Sequence, residues 1–435
     1  MFAYYFQLGL RSLRRNPLLT ALMIMAIGFG VAASMITYSV FRATSNNPIP
    51  QKSGQLYAVQ IANWKPEDMD HGEPPPALTY TDAVAFMQAH KAKRQTALYP
   101  IAPSVIPADA SRLPIQENSY AWYSDAFAMF DVPFIYGGPW TQAQDDARAA
   151  VVVIGKKLND KLFNGQDSVG KTINLDGRDY RITGVTGEWN PQPLFFDPVN
   201  TGGFGDPIGL FIPFTRAIDL KIGTAGNNNC DDTPGTGWDN WLHSECVWIE
   251  YWAELPTTAD ADAYRRWLTG YAAEQQRAGR FKWAPNVRVR DVTDWLDFNK
   301  VVPPESKISL LVSLGFLLIC LVNTVGLLLA KFLRRSPEIG VRRALGASRR
   351  EVYMQFLVEA GTVGLTGGVL GLLLTGLGML CVGWVFDEQI ARLATLDGKL
   401  VLLTLIVAVL ATLLAAFYPT WRAAQVQPAW QLKSN

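Results

Sequence analysis

Four uninterrupted apolar stretches constrain this chain more than any other feature: Leu18 to Phe41, Ile308 to Ala330, about Ala360 to Phe386, and Leu400 to Tyr418. Each is long enough to cross a hydrocarbon core of about 30 Å, which takes about 20 helical residues. Inside lipid a backbone has no water to bond, so each stretch must satisfy its own N–H and C=O groups and predicts a helix. The first resembles a secretory signal in having Arg11, Arg14 and Arg15 before it. Its apolar run is 24 residues, however, where a signal core has about 7–15, and Thr44-Ser45-Asn46-Asn47-Pro48 offers no small-x-small cleavage site. It reads as a retained signal anchor.

Charge then sets the orientation. The whole chain is nearly neutral at +1, but residues 1–42 carry +4, residues 43–307 carry −8 and residues 308–435 carry +5. Such a chain is not a nucleic-acid binder driven by bulk positive charge. Lys331, Arg334, Arg335, Arg342, Arg343, Arg349 and Arg350 crowd the connection between the second and third stretches, with Glu338 as its one acid. Arg422 and Lys433 follow the last stretch, whereas the 387–399 connection is net acidic. Basic loops stay inside. Both termini and the 331–350 loop therefore face the cytoplasm, and residues 43–307 face outward.

The outward domain reads as α/β with mixed strand pairing. Val151-Val152-Val153-Ile154 is a buried strand, Lys157 to Phe163 a short helix with Gly165 as its C-cap, and Asp176-Gly177 a hairpin turn between Thr172–Leu175 and Asp179–Val185. Val247 to Leu255 and Val287 to Val292 read as strands, and Thr81 to His90 and Thr258 to Arg277 as helices. Residues 187–246 are rich in Gly, Pro, Asn and Trp and read as long loops or an insertion. Cys230 and Cys246 lie in this disulfide-permissive compartment; they either bridge, closing a local loop, or stay as two separate thiols. Cys320 and Cys381, inside apolar helices, read as packing residues.

Enzyme chemistry finds little support. Cys230, Asp231, Asp232, His243, Glu245 and Cys246 could be drawn as metal ligands, but their spacing fits no closed zinc pattern. Gly165 to Thr172 spells the G-x-x-x-x-G-K-[ST] phosphate loop, yet it follows a helix and precedes a hairpin, the reverse of what that loop requires. No G-x-S-x-G elbow is present, and His71, His90 and His243 form no paired constellation. The chain reads as no enzyme by itself.

The 331–350 loop carries most information. Ser336 reads as a helix cap with Pro337 at the first helical position and Glu338 in the first turn; Ile339, Val341, Ala344 and Leu345 supply an apolar side, and Gly346 ends the helix. Ser348 and Glu351 form a capping box for the next helix. A short basic helix at the membrane surface either anchors to anionic lipid or is a rigid element that a soluble partner pushes.

Ser336-Pro337-Glu338-Ile339-Gly340-Val341-Arg342-Arg343-Ala344-Leu345-Gly346-Ala347 resembles the signature of ABC-transporter permeases of the macrolide-exporter and lipoprotein-release type, the FtsX-like superfamily with a MacB-like periplasmic domain. Tyr418-Pro419-Thr420-Trp421-Arg422-Ala423-Ala424 with Pro428 resembles its C-terminal motif, and Leu162 to Val185 its periplasmic core. The resemblance implies a polytopic α-helical protein of the bacterial inner membrane, with four transmembrane helices and a large α/β periplasmic domain between the first and second. The expected divisions are an amphipathic N-terminal helix at 1–17 (Phe6, Leu10 and Leu13 on one face), spans at 18–42, 308–330, 352–386 and 400–418, the periplasmic core at 43–307 with its 187–246 insertion, the cytoplasmic loop at 331–351, the outer loop at 387–399 and the tail at 419–435.

Further expectations follow from the resemblance alone. Glu338, Ile339, Gly340, Val341, Arg342, Arg343, Ala344, Leu345 and Gly346 would form the coupling helix against a separate cytoplasmic ABC ATPase dimer, which holds ATP and Mg; this chain would bind no cofactor or metal. A second permease copy or paralogue pairs with it along the first two helices, and a periplasmic adaptor and outer-membrane channel extend the assembly. Hydrolysis then drives periplasmic motion for efflux or export. Two alternatives are a non-transporting regulator of a periplasmic hydrolase and a lipoprotein-release permease. Asn323 is the polar residue that stands out within the spans, and it reads as a packing or interface residue.

Overall fold

The computed structural model describes residues 16–107, 109, 111–302, 304–382 and 397–424. The expected N-terminal amphipathic helix and nearly all of the outer 387–399 loop lie outside the described residues, as does the tail beyond 424. The chain divides into two compact units, residues 46–301 and the segments on either side of them.

The flanking segments contain helices Pro17–Ser45, Pro304–Leu333, Arg349–Val382 and Gly398–Ala424. All four are long and apolar enough to cross a membrane. The chain is thus a multi-pass α-helical membrane protein with a large α/β domain inserted after its first long helix. The third helix starts earlier than its apolar run because the Ser348–Glu351 box forms: Ser348 N–H donates to the Glu351 carboxylate at 2.8 Å and Glu351 N–H to Ser348 Oγ at 3.2 Å. The fourth helix runs through Pro419. There the Thr420 hydroxyl donates to the Ala416 and Phe417 carbonyls, while the carbonyl that loses its ladder donor to the proline is that of Ala415.

The helices approach closely where glycine permits it. A Cβ on Gly367 would lie 2.9 Å from Ile27 of the first helix, and one on Gly364 would lie 2.7 Å from Thr412 Oγ1 of the fourth. The buried hydroxyls of Thr324, Thr375, Thr404 and Thr412 each bond a carbonyl one turn back, and Ser34 also bonds across to the Ser313 carbonyl at 3.1 Å. This is the packing expected where lipid supplies no hydrophobic drive between helices.

The inserted unit is built on one twelve-stranded mixed sheet. Its strands are β1 (Leu56–Ile61), β2 (Arg94–Ile101), β3 (Ser104–Ile106), β4 (Ile115–Gln116), β5 (Ser119–Trp122), β6 (Phe134–Gly137), β7 (Val151–Ile154), β8 (Thr172–Leu175), β9 (Arg178–Thr186), β10 (Leu210–Pro213), β11 (Glu250–Glu254) and β12 (Val287–Asp291). The order is β12-β1-β11-β2-β5-β10-β7-β9-β8-β3-β4, with β6 pairing β9. One face buries Phe86, Tyr99, Trp248 and Tyr251; the other buries Trp122, Phe130, Phe196 and Trp252.

Several local readings meet small shifts. The β8–β9 turn places Asp176 and Gly177 at φ 48 and 81, as a two-residue Asp-Gly hairpin demands. Asn164, not Gly165, is the C-cap of helix Lys156–Phe163, because Asn tolerates the left-handed conformation it adopts there at φ 51. The expected strand from Val247 is shorter, its first residues forming single bridges to Asn229 and Leu78 before β11 begins.

The 187–246 stretch is mostly loop, with short helices at Pro198–Thr201, Phe214–Asp219 and Trp238–Leu242, but part of it is built into the sheet. It supplies β10, which pairs parallel with β5 and antiparallel with β7 in the middle of the sheet. Phe195 and Phe196 from the same stretch are fully buried. Cys230 and Cys246 are joined in a disulfide.

Candidate functional site

Helix Ser336–Ala344 carries Glu338, Ile339, Gly340, Val341, Arg342, Arg343 and Ala344, with Leu345 at its C-cap and Gly346 next. Ser336 is the first helical residue, not the cap. The second long helix turns directly into this one through Arg334 N–H to Ala330 O and Arg335 N–H to Phe332 O, which leaves Arg335 at the N-cap. At the other end Gly346 takes φ 102. Gly346 N–H then reaches Arg343 O, and Ala347 N–H reaches Arg342 O, the bond pair of a Schellman stop.

The helix has two faces that the composition blurs. Ile339 and Gly340 are buried, whereas Val341 is 54% exposed and Leu345 84% exposed. At 100° per residue, roughly, Val341, Ala344 and Leu345 cluster opposite Ile339. The four apolar residues therefore do not share a side. Ile339 anchors the helix, and the other three form an apolar ridge facing away.

A chain of ion pairs fixes the inner face. Lys331 Nζ lies 2.9 Å from Glu359 Oε1, the two side chains being 0% and 3% exposed. Arg335 bonds the other Glu359 oxygen at 2.8 Å and Glu338 at 3.2 Å. Arg342 bonds Glu338 at 2.7 Å and Gln355 at 2.9 Å. Arg335 also lies over the Phe356 ring, 5.4 Å from its centre, and Phe356 packs on Phe332. Burial alone would lower the Arg335 guanidinium, but Glu359 and Glu338 more than offset it and hold it above its ordinary range. The short helix is thus bonded to the end of the second long helix and the start of the third. An isolated buried charge costs several kcal/mol, so each link is tolerated only because the others are in place.

Glu359 and Lys331 as a pair escape a reading by periodicity. The signal was there: Glu359 is the acid nearest the apolar core of the third helix, and an ionisable group so placed must find a partner. Asn323 is exposed on the surface of the second long helix.

The groups once drawn as metal ligands have other partners. Cys230 and Cys246 bond each other, Glu245 binds Arg280 at 2.7 Å, and His243 Nδ1 lies 2.8 Å from the Asp239 carbonyl. Among the described residues no three His, Cys, Asp or Glu side chains are grouped to hold a metal ion. In the Gly165–Thr172 loop, Val169, Gly170 and Lys171 N–H groups already donate to Asp167, Ile182 and Ser168, so they do not form a phosphate cradle.

Residues 20–271 match the MacB-like periplasmic core domain, and residues 310–428 match the FtsX-like permease C-terminal domain. The chain belongs to the MacB/FtsX-like permease family. Among curated relatives, this MacB/FtsX-like permease is 22% identical over 97% of its length to the pyoverdine export ATP-binding/permease protein PvdT of Pseudomonas aeruginosa. It is 23% identical over 96% of its length to the macrolide export ATP-binding/permease protein MacB of Rhodopirellula baltica. It spans 57% and 60% of the length of those two proteins. A crystal structure of the periplasmic region of MacB from Actinobacillus actinomycetemcomitans matches 56% of this chain and 92% of its own, at 12% identity and a TM-score of 0.36.

Proposed function

We propose that this permease is the membrane part of an ATP-driven ABC complex that couples hydrolysis by a cytoplasmic ATPase dimer to movement of its outward domain, for efflux or export. The observation that carries this reading is the short helix Ser336–Ala344. It exposes an apolar ridge at Val341, Ala344 and Leu345, while its other face is locked by ion pairs to two long helices. A ridge of this kind suits docking into an apolar groove, and the ion pairs would deliver a push on it to the long helices. ATP and Mg belong to the ATPase. The excess of Arg and Lys in the 331–350 loop supports an inner-membrane orientation with this helix and both termini in the cytoplasm.

A second permease copy or paralogue fits the exposed face of the second long helix, where Leu311, Leu318 and Val322 are each more than half exposed. The export relatives named for pyoverdine and macrolides favour transport, with a periplasmic adaptor and outer-membrane channel as further partners.

The test is substitution of Val341→Asp and Leu345→Asp in membranes containing the ATPase. Both side chains are exposed, so folding should be unaffected. Co-purification of the ATPase and its permease-stimulated hydrolysis should fall at least tenfold. If both persist, the helix is a lipid anchor and the coupling reading fails.

A further inference from the structure

The inserted domain buries two carboxyl groups that face each other. Asp197 is 0% exposed and Glu250 is 3% exposed. Glu250 opens β11 and leaves the sheet on the same face as Trp252, two residues on. Asp197 caps the single turn Pro198–Thr201 directly after Phe195 and Phe196.

Asp197 is well supplied with donors. Its Oδ1 accepts from the Asn200 backbone N–H at 3.2 Å and the Asn200 side-chain amide at 2.6 Å, and its Oδ2 from the Tyr120 hydroxyl at 2.5 Å. Glu250 is not. Among the described residues no N–H or hydroxyl reaches either of its oxygens, and the group it meets is the Asp197 carboxyl. From β5 the titratable neighbour is Tyr120, and from the short turn the polar neighbour is Asn200. Among the described residues no Lys, Arg or His forms an ion pair with either carboxyl. Two acids hydrogen-bond only through a proton, and two adjacent carboxylates cannot both ionise in a dry site.

We propose that Asp197 and Glu250 hold one shared proton and form a pH-sensitive clasp, which fastens the 194–201 segment to β11 and releases it when the proton leaves. Burial, with the second carboxyl adding to it, pushes Glu250 well above the carboxylate range, and burial pushes Asp197 up too. Folded-state affinities raised in this direction stabilise at low pH, and the contribution is lost as pH rises through the folded value. Asp197, Tyr120 and Asn200 also line a cleft of about 180 Å³, which gives the proton a route to water. Loss of the proton leaves two carboxylates and no redox change.

The experiment is peptide-resolved hydrogen–deuterium exchange on the full chain in nanodiscs, corrected for intrinsic exchange rates. Protection of 194–201 should fall about tenfold or more between about pH 5 and about pH 9. Glu250→Gln brings its own N–H donor and cannot ionise, so the segment should stay protected at both ends of that range. A flat wild-type profile, or the same pH dependence in E250Q, overturns the clasp. So does restored protection at high pH on adding calcium or magnesium chloride alone, which would make the pair a cation site. Should E250Q fail to fold, infrared spectra of the wild type decide. A protonated-carboxyl C=O band at about pH 7.5 that disappears on raising the pH supports the clasp, and its absence overturns it.

Discussion

Lys331 and Glu359 show how one residue pair can dominate a surface that otherwise looks like a simple run of positive charge. Both are buried, and Glu359 also holds Arg335. Glu359→Gln would leave Lys331 buried without a countercharge, a loss of about 3–5 kcal/mol. Replacing the pair together, Lys331→Met with Glu359→Leu, removes the buried Lys331 charge and should recover part of that loss, since Arg335 keeps its bond to Glu338. Thermal unfolding of the purified permease in detergent, compared across Lys331→Met, Glu359→Leu and the double variant, checks this. Additive losses would mean that the two residues act independently. The basic character of this loop was legible from Arg334 to Arg350. The countercharge was not, because Glu359 lies outside the loop in sequence and reaches it only when the start of the third helix is brought beside the end of the second.

At the scale of elements, capping chemistry was the most readable signal. The Gly346 stop, the Ser348–Glu351 box and the Asp176-Gly177 turn all depend on neighbours within five residues, so local sequence decides them. Which side of the short helix faces inward was less readable, since Ile339, Val341, Ala344 and Leu345 have similar hydropathy and only packing separates them. The third long helix makes the same point. Its glycines look like weak helix formers, yet Gly367 and Gly364 mark where the first and fourth helices come close. Gly367→Leu should force the first and third helices apart and destabilise the permease by about 1–3 kcal/mol, the ordinary cost of overpacking. A leucine at Gly376, where a Cβ would meet no neighbouring atom, should be nearly neutral. Matched unfolding measurements on the two variants test the contrast.

For the whole molecule, the pH dependence of the inserted domain has a definite sign. Asp145 accepts bonds from Trp140 Nε1 and the Ser124 N–H, but burial still raises it to about 6. Its contribution is therefore fully present below about pH 4 and lost as pH rises through the folded value, a change of about 3 kcal/mol. Glu254 works in the opposite direction. Burial pushes it up, but bonds from Lys93 and Arg94 more than offset this and hold it low, so its contribution is lost as pH falls. Stability of the inserted domain should pass through a maximum in mildly acidic solution, and Asp145→Asn should flatten its alkaline side; unfolding midpoints across pH measure both. The four spans and the insertion of an α/β domain were determined by the sequence alone, because span length is a property of contiguous residues. The central place of β10, the Lys331–Glu359 pair and the Asp197–Glu250 contact were decided only by the tertiary structure. Each joins residues far apart in the chain, and the burial that makes them consequential exists only once the chain has folded.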